Sequence, residues 1–394
     1  MLSRAHVIQA LRAKRQAFLS YDGARRETRD RYSEYVQALA AQSRATVAWK
    51  LQGIARAGAL PTEERVEGMP LVRRFGPRWD HHEEARSWAL QRLQGVPTFA
   101  TDGSQITPDP SLTLPVGAVQ VGWFENPHDG EARYVKDIWF EALPPAELMP
   151  DQLERQAFPD QLVNARRFEL ECQVLADYMR AHADAETKPV CFFDGSLVIS
   201  FAAQMRPAMQ RRYIRSILDL LDASENSRVP LVGYIDTSYA TDLVTMLKWL
   251  NVEATAPQHL SDGGLLRSLM KWGDRTEALE CARDDRLFEN SPDLDYYARV
   301  HFVYLKTTSN NAPTRLDLPS WLLEDGILED VIDIVRAECV VGTGYPYAIE
   351  TADAVAVITM QDRERFYRLF QEFAHENDLT WTYARKALSK RGRR

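Results

Sequence analysis

Apolar side chains recur at intervals of three and four residues through the first part of the chain, which is the spacing of a helix with one buried face. Leu11 and Phe18 belong to this pattern, and it continues among charged residues as far as residue 58. We therefore predict helix over residues 5–58. A break between two helices is expected at Tyr21–Gly23, because an Asp-Gly pair favours a turn.

From residue 96 the pattern changes to short, dense apolar runs separated by turn residues, which is typical of strands. TFATDGS, LPVGAVQVGWFE and ARYVKDIWFEAL are three such runs, and Asp129–Gly130 between the last two predicts a hairpin. Three later runs, KPVCFFDGSLVI, VPLVGYIDTS and YYARVHFVYLKT, predict further strands. The other expected elements are a linker at 61–77 and helices at 79–93, 149–184, 204–223, 241–250, 265–272, 327–338 and 361–374.

The order of these elements predicts the fold class. Three antiparallel strands are followed by parallel strands that are joined through helices, and such an order gives a mixed sheet covered by helices. We therefore predict an α/β fold that carries an N-terminal helical extension.

Composition narrows the classes of function. The chain has 394 residues and a formal net charge of −8, so it does not coat nucleic acid by bulk charge. The 4 Cys are widely spaced, which excludes a disulfide scaffold and a CxxC zinc site. No apolar stretch is long enough to span a membrane and no export signal is recognised, so we expect a cytoplasmic protein without membrane contact. The chain has no P-loop motif for ATP hydrolysis.

Two Asp-Gly pairs differ from the others, because each follows a strand and precedes a serine. They place Asp102 and Asp194 where the strands TFAT and CFF end. Open α/β sheets build their sites at the carboxyl ends of strands. If the two strands are parallel neighbours, the two carboxylates meet at one edge of the sheet, and a bound cation would relieve their repulsion.

The helix before the second of these strands contains the sequence RRFELE, and one of its acids is a candidate third ligand. Glu171 lies four residues after Arg167 on one helical face, whereas Glu169 faces roughly 200° away. We favour Glu171 and keep Glu169 as the second choice. The alternative is that Arg167 and Glu171 form only a surface ion pair.

Three carboxylates suit Mg²⁺ or Mn²⁺ rather than zinc, because these ions prefer oxygen ligands. Carboxylate clusters of this kind support phosphodiester hydrolysis with two metal ions. This combination of mixed sheet and acids is the layout of an RNase H-like nuclease core.

The motifs TFATDGS, RRFELE, VCFFDGSL and VGTGYPYAIETADAVAVI, in this order, resemble the NurA nuclease family. The resemblance extends from about residue 95 to residue 375. It implies an RNase H-like domain in a toroidal homodimer. It also implies a manganese-dependent nuclease that cuts single-stranded DNA, degrades duplex ends 5′ to 3′, and works with the hexameric ATPase HerA in DNA end resection and double-strand break repair.

Carried over by motif, the resemblance implies that Asp102, Asp194 and Glu171 are the acids of the family, and that Tyr345 is the tyrosine of its C-terminal motif. Asp353 stands where archaeal members have His. An Asp at this position can still bind a hard cation but cannot act as a neutral imidazole base.

Asp236, after the third strand of the parallel set, has two interpretations: an extra ligand, or the N-cap of the next helix, which we favour. DNA contact requires local positive charge. The predicted DNA-binding residues are Arg166, Arg167, Arg211 and Arg212, on the two helices nearest the site, with Arg206, Arg215 and the basic C-terminal tail as further candidates.

The expected domains are a helical region at 1–60 for dimer or partner docking, a linker and short helix at 61–95, the nuclease domain at 96–385 and a basic tail at 386–394. Two other functions stay open. One is a non-catalytic nucleic-acid or ATPase adaptor that keeps the fold, and the other is a carboxylate-metal phosphoesterase.

Overall fold

The computed structural model describes residues 2–109, 112–131, 133–149, 159–252, 257 and 259–382. The predicted basic tail at 386–394 lies outside the described residues, as does the stretch 150–158 of the helix predicted at 149–184.

The described helices and strands account for most of the predicted elements. In chain order the helices are α1 (Arg4–Ala13), α2 (Arg15–Ala38), α3 (Arg44–Leu51), α4 (His82–Leu93), α5 (Pro145–Leu148), α6 (Pro159–Ala181), α7 (Pro207–Ser227), α8 (Asp242–Leu250), α9 (Asp262–Leu266), α10 (Trp321–Glu324), α11 (Leu328–Val341), α12 (Tyr347–Ala356) and α13 (Met360–Glu376). The strands are β1 (Gly58–Pro61), β2 (Val72–Arg73), β3 (Thr98–Ile106), β4 (Gly117–Asn126), β5 (Val135–Leu143), β6 (Val190–Asp194), β7 (Leu231–Ile235), β8 (Arg275–Thr276), β9 (Leu279–Ala282), β10 (Val300–Leu305) and β11 (Thr314–Pro319). None of the described helices is long and apolar enough to cross a membrane.

The chain forms two compact units that are interleaved along the sequence. The first unit contains Met1–Arg78, Ile235–Asp285 and Tyr296–Ser320. The second unit contains Trp79–Tyr234, Arg286–Asp295 and Trp321–Arg394.

The second unit is built on strands in the spatial order β7-β6-β3-β4-β5. The pairs β3–β4 and β4–β5 are antiparallel, whereas β3–β6 and β6–β7 are parallel. The parallel strands need helical crossovers, and α6 and α7 supply them. This is the strand order of the RNase H-like fold, and it confirms the predicted mixed sheet flanked by helices.

The helix α6 packs against the sheet of the second unit with the face that the sequence predicts. Phe168, Cys172, Leu175 and Met179 are all buried. The helix α12 lies against β3 and β4. Its close approach depends on Gly122, because a Cβ at this position would lie 2.7 Å from the backbone nitrogen of Ala356.

The first unit contains the strand order β1-β9-β10-β11, with β8 paired to both β10 and β2. The sequence predicted only β10 among these strands. The sequence does not predict β11, because Arg315 and Asp317 interrupt the apolar pattern although both are buried. Arg275 likewise lies buried in β8.

The prediction of a helical break at Tyr21–Gly23 is wrong. The helix α2 continues through these residues, and the boundary with α1 falls at Lys14 instead. A glycine inside a helix costs only about 1 kcal/mol, so an Asp-Gly pair does not by itself end one. Only the C-terminal half of α2 is packed, through Tyr32 and Val36.

Residues 61–77, predicted as a linker, are packed into the first unit. They include β2, and the side chains of Leu71, Val72 and Phe75 are buried. The carboxylate of Asp274 accepts a hydrogen bond from the backbone nitrogen of Phe75 at 3.0 Å. The segment therefore alternates between buried anchors and exposed turns, and it is not a free linker.

Candidate active site

The sequence predicted Asp102 at the end of a strand. In the structure it lies within β3 instead. The strand continues to Ile106 because β4 pairs with it along its whole length. The parallel pairing with β6, however, covers only Thr98–Thr101, so Asp102 is the first residue beyond it. The carboxylate therefore stands at the end of the parallel part of the sheet, which is the functional equivalent of a strand end.

Asp194 is the last residue of β6, as predicted. Tyr345 lies in the loop before α12, and its hydroxyl donates a hydrogen bond to Asp194 Oδ1 at 2.9 Å. The ring of Tyr345 packs edge-on against Tyr234 of β7, with 5.0 Å between the ring centroids. The C-terminal motif and the β6 carboxylate, far apart in sequence, are thus joined directly.

Glu171 of α6 is 5% exposed and faces β3. It lies directly over Gly103, the neighbour of Asp102, where an added Cβ would overlap Glu171 Oε1. Arg167, one helical turn earlier, donates a hydrogen bond to the same carboxylate oxygen. Glu171 therefore forms the predicted ion pair, which is largely buried and not at the surface, and it also lies close to Asp102.

Glu169 points to a different neighbour. Its two carboxylate oxygens accept hydrogen bonds from Arg212 of α7 at 2.6 and 2.9 Å. Arg166 binds Glu141 of β5 in the same two-pronged way, at 2.7 and 2.8 Å. Of the two acids between which the sequence left a choice, the structure brings Glu171 and not Glu169 next to Asp102.

Asp353 lies on α12, close enough to Asp102 to help raise the pKa of Asp102. Its position follows from the attachment of α12 to the sheet. Near its N-terminus, α12 is fixed by Glu338, whose carboxylate accepts hydrogen bonds at 2.9 Å from the backbone nitrogen of Ala348 and from the hydroxyl of Thr98 in β3. The side chain of Glu338 is 1% exposed.

The four carboxylates repel one another. Burial raises the pKa of Asp102 to about 6; a backbone hydrogen bond from Gly103 opposes this, while Asp353 and the charge of Asp194 add to it. Burial likewise raises the pKa of Glu171 to about 7, against the lowering effect of Arg167 and with a further increase from Asp102 and Asp194. Unlike most acidic side chains, these two can therefore hold a proton near neutral pH.

The donor set fits a hard divalent cation, because all of its members are carboxylates that gain from added positive charge. Within the described ranges, no three acidic, histidine or cysteine side chains already form a closed set of metal ligands. At Glu171, the guanidinium of Arg167 already pairs with the carboxylate.

The predicted DNA-binding arginines occupy different places. Arg167 is the one that contacts the acids, through Glu171. Arg166, Arg211 and Arg212 line a groove of about 660 Å³ between α6 and α7, on the side of α6 that carries Glu169. Arg215 lines the same groove.

The N-cap interpretation of Asp236 is wrong. The next helix, α8, begins at Asp242 with Thr241 at its N-cap, five residues further along the chain. Asp236 accepts a hydrogen bond from the hydroxyl of its neighbour Thr237 at 3.2 Å, and it belongs to the first unit. A role of Asp236 as a metal ligand stays a prediction.

The fold and the acids define a class of protein: an RNase H-like domain with carboxylates at the end of its parallel strands. Residues 96–358 match the family model described as the NurA domain, and the chain belongs to the NurA family. This membership supports a nuclease that acts on DNA and requires a divalent metal ion.

Among solved structures, the chain is similar to the NurA nuclease from Sulfolobus solfataricus, with 14% identity over 72% of this chain and 85% of that chain and a TM-score of 0.45. It is also similar to endonuclease V from Bacillus subtilis, with 11% identity over 71% and 83% of the two chains and a TM-score of 0.30. The catalytic domain of human endonuclease V has 12% identity over 74% of this chain and 94% of that chain, with a TM-score of 0.30. No curated protein sequence matches the chain.

Proposed function

We propose that the protein is a manganese-dependent deoxyribonuclease in which Asp102, Glu171, Asp194 and Asp353 hold the metal. The observation that carries the proposal is the meeting of these acids, from β3, α6, β6 and α12, at the end of the parallel strands of a NurA domain. Mg²⁺ suits the same oxygen ligands and is the second candidate cofactor.

A bound divalent ion supplies an activated water and stabilises the leaving oxygen of a phosphodiester. The side chains of the protein would hold and orient this centre. Tyr345 would fix one oxygen of Asp194 and so orient this carboxylate for the cation. Asp353, close to Asp102, would take the place that histidine has in archaeal members.

The substrate that the family resemblance implies is single-stranded DNA and the ends of duplexes. We propose endonuclease activity on single strands and 5′ to 3′ exonuclease activity, in end resection and double-strand break repair with a HerA-type ATPase. Arg167 at the acids and the arginines between α6 and α7 would supply the local positive charge that an acidic chain needs to bind DNA.

We propose a homodimer, as the resemblance implies, and the N-terminal helices as a surface for dimer or partner docking. In α1 and the first half of α2 the apolar side chains Leu11, Phe18 and Leu19 are exposed. A deletion that ends before the buried Tyr32 would remove this surface and keep the packed part of α2.

The test is cleavage of a labelled single strand of DNA with Mn²⁺, Mg²⁺ or EDTA. Wild-type protein should cut with Mn²⁺ and not with EDTA, and Asp102→Ala and Asp194→Ala should be inactive. Asp184→Ala, which removes an exposed acid just beyond the end of α6, is the control and should cut like the wild type. Wild-type rates in folded Asp102→Ala and Asp194→Ala would refute the assignment.

Two observations keep the non-catalytic adaptor as a second candidate: Asp353 stands where archaeal members have histidine, and Glu171 is engaged by Arg167. Binding of DNA without binding of Mn²⁺ would favour the adaptor. Cleavage of small phosphoesters but not of DNA would identify a phosphoesterase.

A further inference from the structure

Arg167 contacts the acids in an unusual way for a residue that would only bind DNA. Its Nη1 donates a hydrogen bond to Glu171 Oε1, and the same nitrogen is 3.5 Å from the backbone oxygen of Gly103. Glu171 is almost fully buried at this point, next to the residue that follows Asp102. The guanidinium therefore pairs with the buried acid of the carboxylate cluster, while the Arg167 side chain itself stays 28% exposed.

The remaining donors of Arg167 are poorly used. Its Nε is buried and has no hydrogen-bond partner. Burial of an unpaired donor is costly, so a stable arginine site normally supplies an acceptor. The neighbouring Arg166 and Arg212 show the usual arrangement, because each binds a carboxylate with Nε and Nη2 together. Arg167 thus holds Glu171 through one nitrogen, while its Nε has no acceptor.

A cation at Glu171 and the guanidinium compete for the same oxygen. A divalent ion that bound Glu171 would compete with the Arg167 guanidinium, because the two positive charges would repel each other beside one carboxylate. The displaced guanidinium, still on α6 beside Gly103, would then be free to bind an anion with its fork of donors.

We propose that Arg167 is a stand-in cation: it neutralises Glu171 while the metal is absent, and metal binding releases it to bind a phosphate of the nucleic acid. This proposal rests on the proposed function, because it assumes that Glu171 is a metal ligand. Metal binding and substrate binding are then coupled through one side chain. Arg167 would act as a substrate-binding residue only in the metal-loaded protein.

The first experiment measures Mn²⁺ affinity by calorimetry without DNA. Arg167→Gln should bind Mn²⁺ at least ~10-fold more tightly than the wild type, because the competing charge is gone. Arg167→Lys keeps a cation at this place and should stay closer to the wild type. Arg180→Gln is the matched control, since it neutralises an exposed arginine of the same helix that pairs with Asp177 and Asp219, and it should not change the affinity.

The same variants are then compared in DNA cleavage at saturating Mn²⁺. Arg167→Gln should raise KM for a single strand roughly tenfold, because one charged phosphate contact is lost, and should change kcat less. If Arg167 only stabilised the fold, Arg167→Gln would instead lower the affinity for Mn²⁺ and leave KM unchanged.

A second measurement uses the wild-type protein and does not depend on the folding of a variant. Phenylglyoxal modifies accessible arginines, and mass spectrometry of the α6 peptide reports the rate at Arg167. The rate should rise several-fold when Mn²⁺ is added, while the rate at Arg180 stays constant.

Unchanged or weaker Mn²⁺ affinity in Arg167→Gln, or an unchanged modification rate at Arg167 when Mn²⁺ is bound, would overturn the proposal. Failure of the wild type to bind Mn²⁺ at all would instead refute the proposed function. The two failures are therefore distinguishable.

Discussion

Each of the two units contains a cluster of acids, and the clusters are neutralised very differently. In the first unit Asp242 accepts hydrogen bonds from Arg283 at 2.8 Å and from Arg315 at 2.5 Å. Arg315 also binds Asp317 at 2.6 Å. Burial would raise the pKa of Asp242, but the charges of Arg315 and Arg283 outweigh burial and lower it. In the second unit Asp102 and Glu171 have raised pKa values.

The difference lies in the partners of the acids and not in the pKa alone, because burial and the charge of Asp242 also raise the pKa of Asp262 in the first unit to about 6. Asp262 is nevertheless matched by hydrogen bonds from two backbone nitrogens and from the hydroxyl of Tyr304. Acids that only stabilise a fold are matched by buried cations and hydrogen-bond donors, because an unpaired buried charge is costly. The acids of the second unit face one another, with Arg167 as the cation at Glu171. Such an arrangement lowers stability and is characteristic of a site that awaits a cation.

The largest expected effect is a loss of DNA cleavage, and it should distinguish the two acids of α6 between which the sequence left a choice. Glu171→Gln should lower Mn²⁺-dependent cleavage by about 1000-fold, because a metal ligand is lost. Glu169→Gln is the matched control and should retain activity within about tenfold, since Glu169 binds Arg212 and not the aspartates. The measurement is the initial rate of single-strand cleavage. The opposite ranking of the two variants would contradict the site.

Substitution in the cluster of Asp242, Asp317 and Arg315 should change the free energy of unfolding. Arg315→Met removes the cation shared by Asp242 and Asp317 and should lower the free energy of unfolding by about 3–5 kcal/mol. Arg26→Met, on the exposed part of α2, loses only a surface pair with Asp22 and should change it by less than about 1 kcal/mol. Denaturant titration measures both. A loss below about 1 kcal/mol in Arg315→Met would mean that this cluster is not structural.

In the acids of the second unit, removal of a charge should raise the free energy of unfolding, whereas Arg315→Met should lower it. The pKa of Asp102 in the folded protein, about 6, exceeds its ordinary value of 3.8, so the folded state favours the protonated form. Stability is therefore lost as the pH rises from about 4 through 6. In EDTA at pH 7.5, Asp102→Asn should be more stable than the wild type by about 1–2 kcal/mol, reduced from the full shift because the group is partly exposed.

The control for this prediction is Asp177→Asn, an exposed acid on α6 that should change the free energy of unfolding by less than about 0.5 kcal/mol. Denaturant titrations at pH 5 and pH 7.5 measure the difference. Equal or lower stability of Asp102→Asn at pH 7.5 would show that the repulsion among the acids is not significant.

The smallest effect is expected at Tyr345. Tyr345→Phe loses one hydrogen bond to Asp194 and should reduce cleavage about three- to tenfold, because Asp194 is less well oriented. Tyr367→Phe loses a longer bond, 3.4 Å, to the backbone oxygen of Thr107 and should cut like the wild type. A loss above about 100-fold in Tyr345→Phe would indicate a direct role of the hydroxyl in the reaction.

The sequence predicts the second unit better than the first for a physical reason. Strands such as β6 are continuous apolar runs because both of their faces are covered, so their positions and the acid that follows are readable. In β11 buried pairs such as Arg315 and Asp317 replace apolar residues, and only tertiary contacts reveal that they are inside. A periodicity analysis therefore misses this strand.

Among the site residues, motif order predicted Asp102, Asp194 and Tyr345, and the structure brings them together. The choice between Glu169 and Glu171 required the positions of Arg212 and Gly103, which come from other elements. Turn-forming pairs were the weakest signals. The Asp-Gly of α2 lies inside a helix, and Asp236 is not a helix cap, because local propensity is overridden by packing.

The central claim is that the acids of the second unit bind a divalent cation in exchange for protons. The most direct measurement is a calorimetric titration of the metal-free protein with Mn²⁺ at pH 6.5, in two buffers of different ionisation enthalpy. We predict saturable binding accompanied by proton release, because Asp102 and Glu171, with pKa values of about 6 and 7, are partly protonated before the metal enters. Absence of binding, or binding that is unchanged in Asp102→Ala and Asp194→Ala, would contradict the account.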